Sequence, residues 1–329
     1  MGAQVTPFRR AVVVAVVALL VVVAVTPLRA AEGRRAVLVF GATGGDSYAK
    51  TWAAWEKALV GALRDRFGFP AEQIVVLTAD AEAPGAKSTA EGVRAAFERM
   101  RSRAGKDDLV LVVLVGHGSV DAERAHFNLV GPDLEVSEWA TLVDAVPGRV
   151  VFVNAAGASF PFLERLSRQG RIVITATDAT AQRFDTTLPE QLAKALDDPA
   201  TDADRNGRVS VWEAFAQASA GVRQYYDQRG QLATERALLD DTGDRVGQEA
   251  GASGPDGALA RTTYLDPEPA AASVNPEIAE LVARQRALER AAEDLKLRKP
   301  TMPAPQWESE FERLMIELAR VSRAIRSRS

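Results

Sequence analysis

Leu109-Val110-Leu111-Val112-Val113-Leu114-Val115-Gly116-His117-Gly118-Ser119 is the stretch on which the fold turns. An unbroken apolar run without polar alternation is the pattern of a strand covered on both faces, as in a parallel sheet with crossover helices. The glycines flanking His117 let the backbone turn tightly and leave an imidazole exposed at the strand's carboxyl end. Open parallel sheets meet their ligands at that edge. Outward from this run lie four more of the same kind: Ala36-Val37-Leu38-Val39-Phe40, Gln73-Ile74-Val75-Val76-Leu77, Val150-Val151-Phe152-Val153 and Ile172-Val173-Ile174-Thr175. Helical patterns separate them over roughly 48–66, 89–104 (Ser88 or Thr89 as N-cap), 137–145 and 159–168. The expectation is one α/β domain over 32–228, a three-layer sandwich around a mostly parallel central sheet.

Composition removes several function classes. The chain has 329 residues, with 40 Lys plus Arg against 44 Asp plus Glu, a net charge of −4. No positive field is available for phosphate neutralisation, so nucleic acid is not an expected partner. Cysteine is absent, which excludes disulfides, thiolate metal sites and every cysteine nucleophile. The only histidines are His117 and His126, so a zinc site would have to recruit carboxylates, and no HExxH spacing exists.

At the front of the chain, Arg9-Arg10 precedes an apolar run from Ala11 to Val25, followed by Thr26-Pro27-Leu28-Arg29-Ala30-Ala31. Basic, apolar and small-residue regions in that order read as a signal peptide over 1–31, or as an uncleaved N-terminal anchor. Both place the rest of the chain outside the cytoplasmic membrane, secreted or periplasmic. Membrane contact is then expected only through this segment.

Two strand ends carry the chemistry. One is Gly116-His117-Gly118-Ser119; the other is Val153-Asn154-Ala155-Ala156-Gly157-Ala158-Ser159, an elbow of small residues leading into a helix. Strand-Gly-His-Gly followed some forty residues later by strand-polar-Ala-Cys-x-Ser-Gly is the pattern of caspase-like cysteine peptidases. Over 35–228 this chain resembles bacterial relatives of their legumain branch, the peptidase C13 type. The segments Phe127-Asn128-Leu129-Val130-Gly131-Pro132-Asp133-Leu134 and Ile172-Val173-Ile174-Thr175-Ala176-Thr177 add to the likeness. The resemblance implies a caspase-like fold with His117 at the catalytic histidine position and Ala156 at the position of the missing cysteine. A methyl group cannot attack a carbonyl, so the family's activity is not carried over. Backbone N–H groups at Gly118 and Ala156 remain possible donors to a bound carbonyl. Ser159 reads as the N-cap of its helix, with a nucleophilic hydroxyl as the alternative, and Ser119 as a turn residue. His126 has no evident partner. Thr177, Asp178, Gln182, Arg183 and Asp185 stand where such peptidases build specificity loops, and read by default as a solvated loop.

Asp202-Ala203-Asp204-Arg205-Asn206-Gly207-Arg208-Val209-Ser210-Val211-Trp212-Glu213 fills the demanding positions of a twelve-residue calcium loop. Asp202, Asp204, Asn206, the Arg208 carbonyl, Ser210 (through water) and a bidentate Glu213 are the expected Ca2+ ligands, with Gly207 at the sharp turn. Helical patterns over 189–196 and 211–225 flank this EF-hand-like loop. Asp240-Asp241-Thr242-Gly243-Asp244 is acidic but lacks the glycine at six and the closing glutamate.

The Gly-, Ala- and Pro-rich stretch 229–274 reads as a linker. Asn275-Pro276-Glu277 then opens a helix carrying Ile278, Leu281, Leu288 and Leu295, stopped by Pro300, Pro303 and Pro305. Trp307, Phe311, Leu314, Leu318, Val321 and Ile325 form one apolar stripe on a last helix. Residues 275–329 are thus expected as a helical hairpin or coiled coil, completing its own fold or self-associating. The functional expectation is an exported pseudopeptidase that binds calcium and a protein or peptide partner. The alternatives are a hydrolase using His117 without cysteine, and a structural envelope scaffold.

Overall fold

A computed structural model describes residues 33–121, 124–267, 275–299 and 302–328. The expected leader over 1–31 lies outside these residues. Among the described residues no helix is long and apolar enough to cross a membrane.

Five parallel strands form most of the central sheet: β1 (Arg34–Phe40), β2 (Ile74–Leu77), β3 (Leu109–Val115), and the two strands at Arg149–Asn154 and Ile172–Thr175. Three short strands intervene, β4 (Gly118–Asp121), β5 (Arg124–Phe127) and β6 (Leu134–Glu135), pairing antiparallel in a small sheet of their own. The strands at Arg149–Asn154 and Ile172–Thr175 are therefore β7 and β8. The central order is β2-β1-β3-β7-β8, closed by an antiparallel β9 (Leu238–Asp240). The chain leaves β1 toward β2 and returns to the other side for β3, so the strand order reverses between β1 and β3.

Continuous apolar strands are explained by two cores, one on each face. Leu109, Leu111, Val113 and Val115 of β3 enter one core, and Val110, Val112 and Leu114 enter the other. The first is capped by α1 (Asp46–Gly61), α5 (Leu188–Asp197) and α6 (Val211–Asp227). The second is capped by α2 (Ala90–Arg103), α3 (Val136–Asp144) and α4 (Phe160–Leu166). This is the expected three-layer α/β sandwich with a mostly parallel sheet. Thr89 is the α2 cap, accepting from the Gly92 amide at 3.1 Å.

The expected linker over 229–274 needs correction. Its residues Leu238–Asp240 are buried and add β9 to the sheet. Farther along, Asp241 receives the amides of Gly257 and Ala260, both at 2.8 Å, at the start of the short α7 (Ala258–Arg261). Low periodicity concealed this because the segment is held by side-chain carboxylates on backbone N–H groups rather than by an apolar stripe. Residues 268–274 lie outside the described set.

The chain closes with α8 (Pro276–Arg298) and α9 (Ala304–Arg326). They pack on each other through Ile278, Val282, Val321 and Ile325, with Leu281 and Leu288 beside them. Trp307 stacks on Phe311 and donates its indole N–H to the Leu295 carbonyl at 2.8 Å.

Candidate functional site

The carboxyl ends of β3 and β7 meet where Gly118 faces Gly157. A Cβ on Gly118 would lie 2.2 Å from the Gly157 carbonyl oxygen, so only glycine permits this approach of the two strand ends. His117 is half-buried beside them. Its Nδ1 lies 3.3 Å from Asp185 Oδ1 and its Nε2 lies 3.3 Å from the Thr43 carbonyl oxygen. The Tyr48 hydroxyl donates to the other Asp185 oxygen, and that carboxylate holds the phenol above its ordinary pKa. Rings complete the surroundings: Tyr48 meets the imidazole edge-on at 4.8 Å between centroids, and Trp52 lies at 5.1 Å. Each ring nitrogen thus faces an oxygen acceptor, and a neutral imidazole, with one N–H, can donate to only one of the two.

These groups open into a cleft of about 290 Å³, whose walls include Tyr48, Trp52, Trp55, His117, Asp185 and Thr186. It sits beyond β1 and β3, where the strand order reverses, the position at which open α/β sheets hold ligands. Asp185, read from sequence as part of a solvated loop, is exposed and also faces His117. Tyr48, Trp52 and Trp55 were missed, although their spacing of four and three on α1 marks one aromatic face.

Ala156 does not line this cleft. It is fully buried in the core with α4, and its amide donates to its neighbour Asn154 Oδ1 at 3.1 Å. Of the two backbone donors considered from sequence, this one is already engaged. The 177–187 loop crosses the elbow: the Thr186 hydroxyl donates to the Ala155 carbonyl, and the Ala158 amide donates to the Gln182 carbonyl at 2.7 Å. Ala158 is left-handed, with φ 52°, a conformation costing an L-residue roughly 1–2 kcal/mol that the crossing loop holds in place. The loop's far end is fastened by buried Glu235, which accepts the amides of Thr187 and Leu188 and the Tyr226 hydroxyl.

Ser159 departs from its expected role. It is fully buried and makes no side-chain cap. Its Oγ accepts the amides of Ala176 at 3.0 Å and Thr177 at 3.2 Å, tying β8 to α4, while Thr177 Oγ1 takes the Phe160 amide at 3.0 Å. The cap is therefore supplied from another strand, because α4 begins against the end of β8. Ser119 is likewise a β4 residue rather than a turn, donating to Asn128 Oδ1 at 3.0 Å. His126 is half-buried on β5 in register with Ser119 and Glu135.

Asp202, Asp204 and Glu213 converge, each offering a carboxylate oxygen within 4.8 Å of the others. Local bonds build the loop. Asp202 accepts the amides of Asn206 at 3.0 Å and Gly207 at 2.9 Å, and Gly207 takes φ 87°. Asn206 Oδ1 accepts the Arg208 amide at 2.8 Å. Glu213 reaches back to the Ala203 amide at 3.0 Å and to the Ser210 amide at 2.8 Å, forming a capping box with Ser210 at the start of α6. Burial, and after it the charge of Glu213, pushes the Asp204 carboxyl up, although bonds from Asn206 pull it down. A divalent cation relieves that crowding of carboxylates. Three carboxylates and the amide oxygen of Asn206 on one loop suit a hard cation.

Residues 263–265 run beside the end of this loop: Val211 N–H donates to Thr263 O at 2.8 Å and Leu265 N–H to Val209 O at 2.9 Å. Arg208 covers the Tyr264 ring, with its guanidinium carbon 3.8 Å from the centroid. Asp240, Asp244 and Asp256 also bring carboxylate oxygens within 4.8 Å of one another. Sequence named the first two. Asp256, twelve residues beyond Asp244, enters by the fold, and burial raises its pKa to about 6.

No family model matches the chain, and no curated protein matches it. Among solved structures the chain is similar to protein GSU0716 from Geobacter sulfurreducens, with a TM-score of 0.40 and 14% identity over 66% of this chain and 98% of that one. It is similar also to the Drosophila initiator caspase Dronc, with a TM-score of 0.40 and 11% identity over 66% of this chain and 82% of that one.

Proposed function

We propose that this chain is an exported, catalytically silent caspase-like protein of the legumain type, which binds Ca2+ and uses the His117 cleft to hold a protein or peptide partner. The observation that carries the reading is the elbow. Ala156 stands where the resemblance expects the nucleophile, it is fully buried beneath the 177–187 loop, and the chain has no cysteine to replace it. Acyl transfer needs a nucleophile beside a base. Ser159, the alternative hydroxyl, is buried and already bonded to two backbone amides.

The cleft itself retains what binding requires: a concave surface at the reversal of strand order, aromatic walls and a few fixed polar groups. The Ca2+ ligands are Asp202, Asp204, Asn206, the Arg208 carbonyl, Ser210 through water, and Glu213, and the ion clamps the chain before α6. The hairpin formed by α8 and α9 remains open to self-association.

The test is hydrolysis of a diverse peptide library by the mature chain in calcium, beside His117→Ala. No cleavage above the variant's background is expected. Cleavage that disappears with His117 overturns the proposal and establishes a cysteine-free hydrolase.

A further inference from the structure

We infer that the His117 cleft accepts a basic side chain, the guanidinium or ammonium of an arginine or lysine in an extended peptide. This deepens the proposed function and rests on the reading of that cleft as a binding surface.

Size comes first. About 290 Å³ lies at the lower limit of small-molecule pockets, room for one long side chain rather than a cofactor. Charge comes next. Among the residues lining the cleft, Asp185 is the only carboxylate and there is no lysine or arginine; the rest are aromatic, hydroxyl-bearing or small, apart from His117. The Asp185 side chain is 58% exposed. One of its oxygens accepts the Tyr48 hydroxyl and the other lies 3.3 Å from His117 Nδ1. A carboxylate oxygen has two acceptor directions, so each keeps one for a ligand. The fixed Asp185 therefore presents a pre-oriented pair of acceptors, the geometry a guanidinium fork matches and an ammonium satisfies singly.

The walls supply the remaining half. Tyr48, Trp52 and Trp55 share the face of α1 that lines the cleft, with Tyr48 and Trp52 ring centroids 5.8 Å apart. Such rings bury a methylene stem and attract a cation through their π faces. An acidic ligand would set its charge against Asp185, and a purely apolar one would leave the carboxylate's open lone pairs facing it. A basic group on an apolar stem satisfies both surfaces together.

The experiment uses the full mature chain and blocked pentapeptides Gly-Gly-X-Gly-Gly, with all twenty residues at X, read by calorimetry and by tryptophan fluorescence. Arginine and lysine at X are expected to bind about tenfold more tightly than norleucine, and glutamate to bind weakest. Asp185→Asn, a change at an exposed side chain, is expected to erase the difference between lysine and norleucine. Raising salt should narrow the same difference. Tyr48→Phe, which keeps the ring and frees one Asp185 oxygen, should retain the basic preference. A preference for any non-basic X, or a basic preference indifferent to Asp185→Asn, overturns this inference and leaves the cleft a binding surface. Absence of binding for every X overturns both.

Discussion

The elbow after β7 and the acidic loop before α6 are both tight backbone features rich in small and polar residues, yet their states are opposite. At the elbow the backbone is elaborately held: Asn154 takes the Ala156 amide, Gln182 takes the Ala158 amide, and Thr186 bonds the Ala155 carbonyl. The side chain at its centre is a buried methyl. At the loop the same kind of bonding gathers three carboxylates within 4.8 Å of one another. One region spends its hydrogen bonds on closing a surface, the other on presenting oxygens. Backbone geometry and side-chain chemistry are thus separable, and a fold can keep the first without the second.

The sharpest way to break the comparison is through its two glycines, which are required for different reasons. Gly118→Ala drives a Cβ to 2.2 Å from the Gly157 carbonyl, a backbone atom with no freedom to swing away. We expect a loss of about 3 kcal/mol in urea unfolding, in the range of overpacked cores. Gly207→Ala meets nothing within 4 Å and suffers only its φ of 87°; the expected loss is about 1 kcal/mol. Equal losses would mean that the strand ends are looser than the geometry implies.

Occupancy of the loop gives the next largest effect. For a loop that binds calcium in the range of roughly 10⁻⁴–10⁻³ M, as proposed, calcium at about 10 mM would stabilise the native state by about 1.4–2.7 kcal/mol. Thermal melts with calcium and with chelator should differ by a few degrees, and Glu213→Gln should collapse the difference. Identical melts in the unaltered chain would remove calcium from the proposal.

Ala156→Cys tests the elbow directly. The added sulfur enters packed surroundings, and a cost of about 1–2 kcal/mol is expected. The thiol should react slowly with an alkylating reagent until the protein is unfolded, and no peptidase activity should appear. Rapid labelling of the native variant would show the position to be accessible after all.

The smallest effect is a slope. Burial holds the Glu235 carboxyl above its ordinary 4.5, against the pull of the Thr187 and Leu188 amides. A raised acid favours the folded state below its unfolded pKa, and that contribution is lost as pH rises through the folded value. Urea midpoints of the unaltered chain minus those of Glu235→Gln should therefore fall as pH rises above the ordinary carboxyl value of 4.5. A flat difference would show that the base of the crossing loop is not buried in solution.

Much of this molecule is local and was readable as such. Continuous apolar runs at 109–115 and 150–153 announce strands covered on both sides because each residue type reports its own burial. The acidic loop is legible for a related reason: its oxygens and its turn glycine fall within twelve consecutive residues, so spacing alone places them on one small surface. The hairpin, too, follows from a stripe whose period is that of the helix. What only the tertiary structure decided involves residues far apart in the chain. Asp185 reaches His117 across the sheet's edge. Thr177 caps α4 in place of Ser159, Asp256 joins Asp240 and Asp244, and 263–265 bond the backbone at the end of the acidic loop. A carboxylate or hydroxyl in a loop has many equivalent local uses, and its choice among them is made by whichever distant N–H, imidazole or carbonyl the packed strands bring within reach.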